Sequence, residues 1–383
     1  MHKTYVIGIG QIQIGEHWDK SLKEMAGEAG LLALSDANFP KIDALFIGNM
    51  MSGSANRQLH LNALIADWMG YRGNESYVFE SACSSGAAAF RTGVIALGSG
   101  HFETALIIGL EKMTDSPSSE ITNTLATAAD ADLEVDMGVS FVALNALLMR
   151  RYMYEYGWKN ADFAGFSINA HANAVSNPYA RFRKPISEKI FLESGMVCDP
   201  INLMDASSIG DGSAAIVVTN NKKYINEKLK ISVVGSTANS DSISIQNRSD
   251  PIWLSGAEIS SKNAYKQAGI SADDIDVFEY HDAFSIMAAL SLEACGFAER
   301  GKGPRLALDG EIRPDGRIPV ATKGGLKARG HPVGATGIYQ IVEVVQQLRG
   351  EAGSTQVSPN NYGMAQNIGG SGSNIITHIL KRE

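Results

Sequence analysis

The chain has 383 residues, of which 44% are hydrophobic and 19% are charged, and its formal net charge is −8. This length and composition predict a globular protein of two or three domains, with a core large enough to fold without disulfides or a structural metal. The acidic balance disfavours nucleic acid as the main partner, because phosphate binding normally requires a basic surface.

The spacing of the cysteines and the distribution of hydrophobic residues indicate the cellular compartment. The three cysteines are far apart and fit no CxxC or zinc-binding spacing, which indicates a reducing compartment. The N-terminus lacks the apolar core of a signal peptide, and no stretch approaches about 18 uninterrupted apolar residues. We therefore expect a cytoplasmic protein without a membrane span and without a metal site.

Two distant stretches of the chain repeat the same order of elements, which indicates an internal duplication. Each begins with a predicted strand and helix, passes an Ile-Asp pair into a second strand, and ends with a helix and a further strand. The predicted strands lie at residues 5–8, 44–47, 105–109, 231–235, 277–280 and 375–380. Strands that alternate with helices predict helix-covered sheets, so the fold class is α/β with two units packed face to face.

The domain organisation follows from this duplication. Residues 1–113 form the first unit, and residues 230–383 form the second. Between them, residues 114–205 change to loops and amphipathic helices, which is typical of an inserted domain. Residues 206–222 contain another apolar strand, which we expect to return to the sheet of the first unit.

Cys83 lies in the segment ACSSG, between a predicted strand and the start of a helix rich in Ala and Val. At a helix start, free backbone N–H groups and the helix dipole favour a thiolate, and the small neighbours leave the sulfur accessible. Free cysteines are also commonly buried structural residues. Position alone leaves both interpretations open.

His331 stands in the corresponding turn of the second unit, between Gly330 and Pro332. If the two units face each other, the two helix starts meet and the imidazole reaches the thiol. An activated nucleophile requires this arrangement, with backbone N–H groups nearby for a developing oxyanion. Considered in isolation, a histidine in such a turn would more often be exposed or cap a helix.

Two further segments carry polar groups near predicted strands. His281 and Asp282 follow directly on the strand 277–280, at a carboxyl end where α/β enzymes place functional groups. The alternative is that Asp282 caps a helix and His281 is exposed. The Gly-rich segment 367–372 is predicted to be a flexible turn, and it lacks the Lys-Ser/Thr ending of a phosphate-binding loop.

The strongest basic cluster consists of Arg181, Arg183 and Lys184, which surround Phe182 and precede Pro185. The cluster is either a solvated loop or a clamp for the phosphates of a nucleotide-bearing substrate. Both interpretations remain open at this point.

Together these elements resemble the thiolase family along nearly the whole chain. ACSSG is similar to the nucleophile loop of that family, HDAF to its second loop, GGLKARGHPVGATG to its third and NIGGSG to its fourth. The third is the most specific because of its length. HDAF, in place of the more widespread Asn-Glu-Ala-Phe, resembles the archaeal and sterol-carrier-like branch, as do NPYARFRKPIS and DASSIGDGSAA.

The resemblance implies a duplicated fold of two mixed sheets in a five-layer αβαβα arrangement, plus the inserted loop domain. It also implies an acetyl-CoA C-acetyltransferase, or acetoacetyl-CoA thiolase, that condenses two acetyl-CoA molecules or runs the reverse thiolysis through an acyl-cysteine on Cys83. His331 would activate Cys83, and His281 would help to polarise the thioester oxygen of the second substrate. The backbone N–H groups of Cys83 and Gly369 would form the other oxyanion hole.

The resemblance also bears on ligands and partners. Acetyl-CoA, acetoacetyl-CoA and CoA would be substrates, with no covalently bound cofactor, and Arg181, Arg183 and Lys184 would hold the CoA moiety. The chain would form a homodimer or homotetramer and act in the mevalonate pathway. Its branch also implies a complex with hydroxymethylglutaryl-CoA synthase through a small OB-fold zinc protein.

The chain lacks one residue of the thiolase pattern, the second catalytic cysteine. Thiolases have a second cysteine as acid and base for the carbanion step, but Ala283 and Asn367 stand at the two positions where it occurs. Either His281 or His331 then takes both proton transfers, or the reaction is slower or different. The alternative function is an acyl-CoA-binding or scaffold protein with weakened chemistry. A ketosynthase or hydroxymethylglutaryl-CoA synthase relative is a third interpretation, for which no catalytic Glu can be placed.

Overall fold

The computed structural model describes residues 2–226 and 230–383, in which eleven strands and twelve α-helices are defined. The strands are β1 (Thr4–Gln11), β2 (Ala44–Gly48), β3 (Glu75–Phe79), β4 (Thr104–Glu111), β5 (Met196–Cys198), β6 (Ile201–Asn202), β7 (Gly212–Thr219), β8 (Ile231–Ser240), β9 (Val277–Glu279), β10 (Tyr362–Gly369) and β11 (Asn374–Arg382). The helices are α1 (Leu22–Asp36), α2 (Ser52–Ala55), α3 (Leu61–Trp68), α4 (Ser85–Gly98), α5 (Ser118–Ala126), α6 (Phe141–Tyr156), α7 (Ala164–Ala174), α8 (Glu188–Glu193), α9 (Ser255–Ala268), α10 (Ser285–Ala294), α11 (Gly303–Leu308) and α12 (Thr336–Arg349). Among the described residues, no helix is long and apolar enough to cross a membrane.

Nine of the strands form one mixed sheet in the order β3-β2-β4-β7-β1-β8-β11-β10-β9. The first five come from the N-terminal unit, including the return strand β7, which pairs antiparallel with both β4 and β1. The last four come from the C-terminal unit. The two predicted sheets are continuous, because β1 pairs antiparallel with β8 over Thr4–Val233 to Val6–Ile231.

The helices lie in three layers around the two halves of this sheet. Helices α1 and α3 cover the outer face of the N-terminal half. Helices α4 and α12 lie between the halves and share one apolar core with both. Helices α9 and α10 cover the outer face of the C-terminal half. The predicted α/β class and its five αβαβα layers are therefore confirmed.

The strand β7 shows how the sequence specifies these layers. Every residue of the strand is buried, as expected for a strand covered on both faces. Its alternate residues belong to different cores: Ala214, Ile216 and Val218 face α4 and α12, whereas Ala215 and Val217 face α1. The period-two alternation of strand side chains thus supplies two cores from one short apolar run.

The segment between β4 and β7 carries the helices α5 to α8 and the short β5–β6 hairpin. Its residues pack mainly against the C-terminal unit, since Tyr152 and Phe166 belong to the same core as α10. The domain boundaries at residues 113, 205 and 230 stay a prediction.

One predicted turn is wrong in part. Residues 367–369 are not a flexible loop but the end of β10, which is held between the parallel strand β9 and the antiparallel strand β11. The sequence of β10, YGMAQNIG, is poor in β-branched residues and contains two glycines and an Asn, which are depleted in strands. Pairing and burial, rather than propensity, make it a strand.

The two edges of the sheet differ. The edge strand β3 is largely solvent-exposed, with Tyr77 and Val78 among the exposed large side chains. The edge strand β9 is fully buried, and its outer side is covered where the N–H of Phe278 donates to the carbonyl of Pro319 at 2.9 Å. Only the β3 edge is therefore free to pair with a further strand.

Helices α4 and α12 approach closely because glycines line their contact. A Cβ atom on Gly86 would lie 2.7 Å from the carbonyl oxygen of Gly334, and one on Gly337 would lie 2.6 Å from the backbone nitrogen of Ala87. These contacts bring the N-terminal ends of the two helices together, as the duplication predicts.

We expect Gly337→Ala to lower the free energy of unfolding by about 1–3 kcal/mol, because the added methyl group has no space. This loss exceeds the roughly 0.5–1 kcal/mol that Ala normally gains over Gly inside a helix. Chemical denaturation measures the difference. Gly195→Ala is the matched control, since a Cβ atom there meets nothing within 4 Å and its effect should stay within about 0.5 kcal/mol. Equal stability of the two variants would show that the helix contact is not tight.

Candidate active site

Cys83 lies in a tight turn between β3 and α4, two residues before the helix begins. The preceding residue, Ala82, has φ 49°, a left-handed conformation that is uncommon for a residue with a side chain. Serine hydroxyls hold the turn: Ser84 donates to the carbonyl of Ser81 at 2.6 Å, and Ser85 donates to the carbonyl of Ala82 at 2.6 Å. The two serine hydroxyls thus close the turn in which Cys83 stands.

The thiol of Cys83 is neutral in the resting protein. Burial, followed by the nearby carboxyl of Glu111, raises its pKa to about 12, although the backbone N–H groups of Gly370 and of Cys83 itself act in the opposite direction. The backbone N–H groups favour a thiolate, as predicted, but desolvation outweighs them. Reaction at this sulfur requires a base.

His331 follows Gly330, whose φ of 116° and close contact with Ile14 suit only glycine. The backbone N–H of His331 donates to the carbonyl of Ser208 at 3.0 Å. Its Nδ1 lies 2.7 Å from Oγ1 of Thr336, the first residue of α12. Burial and the neighbouring His281 and Arg329 hold the pKa of His331 well below its usual range, so the ring is neutral.

His281 follows β9 and is buried. Its Nδ1 lies 3.1 Å from Nδ2 of Asn367 on β10. Burial lowers the pKa of His281 to about 3, with a smaller effect from Arg329. The helix-cap alternative is excluded, because the N-cap of α10 is Phe284, and Asp282 instead accepts a hydrogen bond from the N–H of Leu326 at 2.7 Å.

Three of the predicted residues meet at one point. One ligand-type atom each from Cys83, His281 and His331 lies within 4.8 Å of the others. The two imidazole rings are edge to face, with centroids 5.2 Å apart. This arrangement combines a nucleophile, two neutral imidazoles and backbone N–H groups, which is the equipment for covalent acyl transfer.

The three side chains open into a cavity of about 160 Å³. Its wall is mostly apolar and comes from the inserted segment, from the HDAF loop and from the His331 loop, with side chains that include Met113, Leu125, Phe141, Val142, Phe284, Met287 and Val333. Cys198 and Cys295 do not line it. Ala283 does, so Cys83 is the one cysteine of the described residues that lines this cavity.

Gly369 is the predicted oxyanion donor, but the N–H that faces the sulfur of Cys83 belongs to the next residue, Gly370. Gly369 ends β10, opposite Asn374, and its carbonyl accepts the N–H of Ser373 at 3.1 Å. Gly370 lines the cavity, and its N–H is the one directed at Cys83. The backbone turn after β10 thus presents Gly370 to the sulfur, and a role for the N–H of Gly369 stays a prediction.

The basic cluster lines a second cavity of about 440 Å³. The positive charge of Arg181 is already paired within the protein, because its guanidinium forms an ion pair with Glu16 at 2.7 Å and stacks on Phe182. Arg183 and Lys184 are exposed and form no ion pair with the described part of the chain. Of the three predicted CoA-binding residues, these two have free charges.

The two cavities share a wall formed by residues 206–208. The basic segment is also hydrogen-bonded to the loop that carries His331: the N–H of Arg181 donates to the carbonyl of Arg329 at 2.9 Å, and the N–H of Phe182 donates to that of Ala328 at 3.0 Å. A ligand that is anchored by the cluster can therefore extend towards Cys83.

Sequence reasoning missed Glu111, which ends β4 and is fully buried. Its carboxylate accepts hydrogen bonds from the N–H groups of Met50 at 2.9 Å and Gly334 at 3.0 Å, so it joins the N-terminal unit to the His331 loop. Burial raises its pKa to about 7. The available signal was an acidic residue at the carboxyl end of an apolar strand.

The same three atoms, of Cys83, His281 and His331, form the one group of His, Cys or acidic ligands in residues 2–226 and 230–383 that is close enough to hold a metal ion. A soft metal bound there would occupy both the nucleophile and the imidazoles. The cluster can therefore serve either catalysis or metal binding, but not both at once.

Comparison with known proteins decides the family. The model of the family described as "Thiolase, N-terminal domain" matches residues 4–222, and that described as "Thiolase C-terminal domain-like" matches residues 237–382. The chain belongs to the thiolase family. It is thus an acyltransferase enzyme, and the predicted resemblance is confirmed.

Relatives of this thiolase include two archaeal enzymes. An acetyl-CoA acetyltransferase of Methanothermobacter thermautotrophicus is 42% identical over all of both chains. One of Methanocaldococcus jannaschii is 36% identical over 99% of both chains. A solved structure, the Ltp2-ChsH2(DUF35) aldolase, has a TM-score of 0.86 at 21% identity, covering 99% of this chain and 98% of that one, and supports the fold alone.

We expect His331→Ala to slow the alkylation of Cys83 by iodoacetamide near neutral pH by about 10²- to 10⁴-fold, because a thiol with a raised pKa needs a base to lose its proton. Mass spectrometry of the labelled peptides over time measures the rate. Cys198, which is partly exposed and outside the cavity, is the internal reference and should react at an unchanged rate. Equal rates at Cys83 in both proteins would contradict the role of His331.

Proposed function

We propose that this thiolase is an acetyl-CoA C-acetyltransferase that works through an acyl-cysteine on Cys83. The observation that carries the proposal is the convergence of Cys83, His281 and His331 within 4.8 Å on the wall of a mostly apolar cavity. The names of the two archaeal relatives support acetyl-CoA as the substrate.

In the first half-reaction, His331 accepts the thiol proton while the sulfur of Cys83 attacks the thioester carbon. The leaving CoA thiolate then takes that proton. Backbone N–H groups near the sulfur, including that of Gly370, receive the negative charge on the acyl oxygen. In the second half-reaction, the carbanion of a second acetyl-CoA attacks the acyl-cysteine and releases acetoacetyl-CoA. Thiolysis is the reverse.

The size of the cavity agrees with a short acyl group. A cavity of about 150 Å³ holds a molecule such as benzene. The space beside Cys83, about 160 Å³, therefore accommodates an acetyl or acetoacetyl group while excluding most water. A water-poor site also protects the acyl-cysteine from hydrolysis.

The second cavity is proposed to receive the nucleotide part of CoA. Arg183 and Lys184 carry free positive charges on its wall, and the adjoining residues 206–208 lead to the Cys83 cavity. Guanidinium and ammonium groups are the usual ligands of phosphates in proteins. The pairing of Arg181 with Glu16 makes that residue a support for the loop rather than a phosphate ligand.

One observation favours the alternative of weakened chemistry. Ala283 lines the cavity where a cysteine would be needed, and Asn367 offers an amide in place of the other possible thiol. A protein that is acylated by acetyl-CoA but releases no acetoacetyl-CoA would fit this alternative. Steady-state condensation and thiolysis assays separate the two functions.

We also propose a homodimer formed through β3. This strand is an exposed edge of the sheet that carries Tyr77 and Val78, and pairing across a two-fold axis would cover it. The proposed complex with hydroxymethylglutaryl-CoA synthase and a small zinc protein rests on the resemblance to the archaeal branch. The name of the solved aldolase pairs Ltp2 with ChsH2(DUF35), which is a statement about that protein.

We expect Cys83→Ser to abolish covalent acetylation and turnover while the fold stays intact, because a hydroxyl of nearly the same size is far less nucleophilic near neutral pH. Incubation with radiolabelled acetyl-CoA, followed by denaturation, measures the covalent label. Cys198→Ser is the matched control and should retain both label and turnover. Label that persists on Cys83→Ser would place the nucleophile elsewhere.

We expect the double variant Arg183→Ala/Lys184→Ala to raise the KM for acetoacetyl-CoA by about tenfold or more with a smaller change in kcat, because it removes charged contacts to phosphates. The thioester of N-acetylcysteamine, which lacks the nucleotide, should be used equally well by variant and wild type. Lys222→Ala/Lys223→Ala is the control, since neither residue lines the two cavities. An unchanged KM for acetoacetyl-CoA would make the cluster a solvated loop.

A further inference from the structure

The inner ring nitrogen of His331 faces a hydroxyl. Its Nδ1 lies 2.7 Å from Oγ1 of Thr336, and that hydroxyl donates to the carbonyl of Pro332 at 3.2 Å. A hydroxyl has one hydrogen, so with that hydrogen directed to Pro332 its oxygen accepts the hydrogen bond from Nδ1 of His331. The neutral ring therefore carries its hydrogen on Nδ1, and Nε2 has a free lone pair that can act as a base.

The inner ring nitrogen of His281 faces an amide instead. Its Nδ1 lies 3.1 Å from Nδ2 of Asn367, and an amide nitrogen can only donate. In this orientation of the amide, which leaves its Oδ1 buried without a hydrogen-bond partner among the described residues, Nδ1 of His281 accepts and the hydrogen of the neutral ring is on Nε2. These orientations of the hydroxyl and the amide correspond to opposite tautomers of the two histidines, one with a basic outer nitrogen and one with an outer N–H donor.

We propose that Asn367 is a positioning residue that holds His281 as an Nε2–H donor to the thioester oxygen of the second substrate, and that His331 alone accepts the protons of both half-reactions. This inference rests on the proposed function, and it decides which residue replaces the missing second cysteine.

A single base, His331, accounts for every proton transfer in the two half-reactions. After the first half-reaction, the proton taken from Cys83 has left with CoA, so Nε2 of His331 is free again. It then accepts a proton from the α-carbon of the second acetyl thioester, and the negative charge moves to the thioester oxygen, where His281 donates its Nε2–H. The α-carbon attacks the acyl carbon, the carbon–sulfur bond to Cys83 breaks, and the thiolate receives the proton from His331.

The relative position of the two histidines is compatible with His331 as the base and His281 as the hydrogen-bond donor. The ring centroids of the histidines are 5.2 Å apart, their planes are nearly perpendicular, and both residues line the same cavity. Asn367 is buried, and its amide cannot exchange a proton with the substrate. An amide side chain can occupy this position because it only has to orient the imidazole ring of His281.

The direct test is the tautomer of His281 in the full-length protein labelled with ¹⁵N-histidine. The resonances of His281 are assigned by comparison with His281→Gln. We expect a protonated Nε2 and an unprotonated Nδ1 for His281, and the reverse for His331. A protonated Nδ1 on wild-type His281 would overturn the inference whatever the enzyme activity is.

The kinetic test uses Asn367→Asp, which keeps the size of the side chain but replaces the donor with an acceptor. We expect the tautomer of His281 to invert, condensation and thiolysis to fall by about 10²- to 10³-fold, as when one oxyanion donor is lost, and acetylation of Cys83 to change only a few-fold. Asn173→Asp, a buried amide outside the Cys83 cavity, controls for the cost of burying a carboxylate and should lower the melting temperature without separating the half-reactions.

The outcomes distinguish this inference from the proposed function. If wild type is never acetylated on Cys83, the proposed function fails, and the labelled-histidine spectrum still tests Asn367. If wild type is acetylated and Asn367→Asp loses both half-reactions equally, or keeps full condensation with an inverted tautomer, the proposed function stands and the role of Asn367 is overturned.

Discussion

The contact between α4 and α12 is the constraint on which the site depends. Because Gly86 and Gly337 have no side chains, the two helices approach closely enough for backbone atoms to touch. The turn that carries Cys83 precedes one helix, and the loop that carries His331 precedes the other. A duplicated unit whose copies pack through glycine thus places a thiol from one copy beside an imidazole from the other.

The buried environment determines the chemistry more than any single hydrogen bond. Desolvation keeps Cys83, His281 and His331 uncharged, with the pKa of the thiol raised and those of both histidines lowered. A thiolate at Cys83 then requires transfer of its proton to a neighbouring neutral imidazole.

Much of this arrangement was predictable from the order of elements, whereas its electrostatics was not. Repeated strands and helices indicated the α/β layers, and the matching positions of Cys83 and His331 indicated their meeting. The strand β10 could not be foreseen, because pairing overrides its poor propensity. The raised pKa of Cys83 and the bridging role of Glu111 depend on contacts between distant segments, which no local pattern contains.

The unequal edges of the sheet have a geometric consequence. One border, β3, is exposed along most of its length, and the other, β9, is covered by the segment around Val320. A chain with a single open border can join only one neighbour by strand pairing, and that neighbour must use the same border in return. In the dimer proposed through β3, extension of this nine-stranded sheet would therefore stop at eighteen strands, because the covered β9 borders cannot pair further.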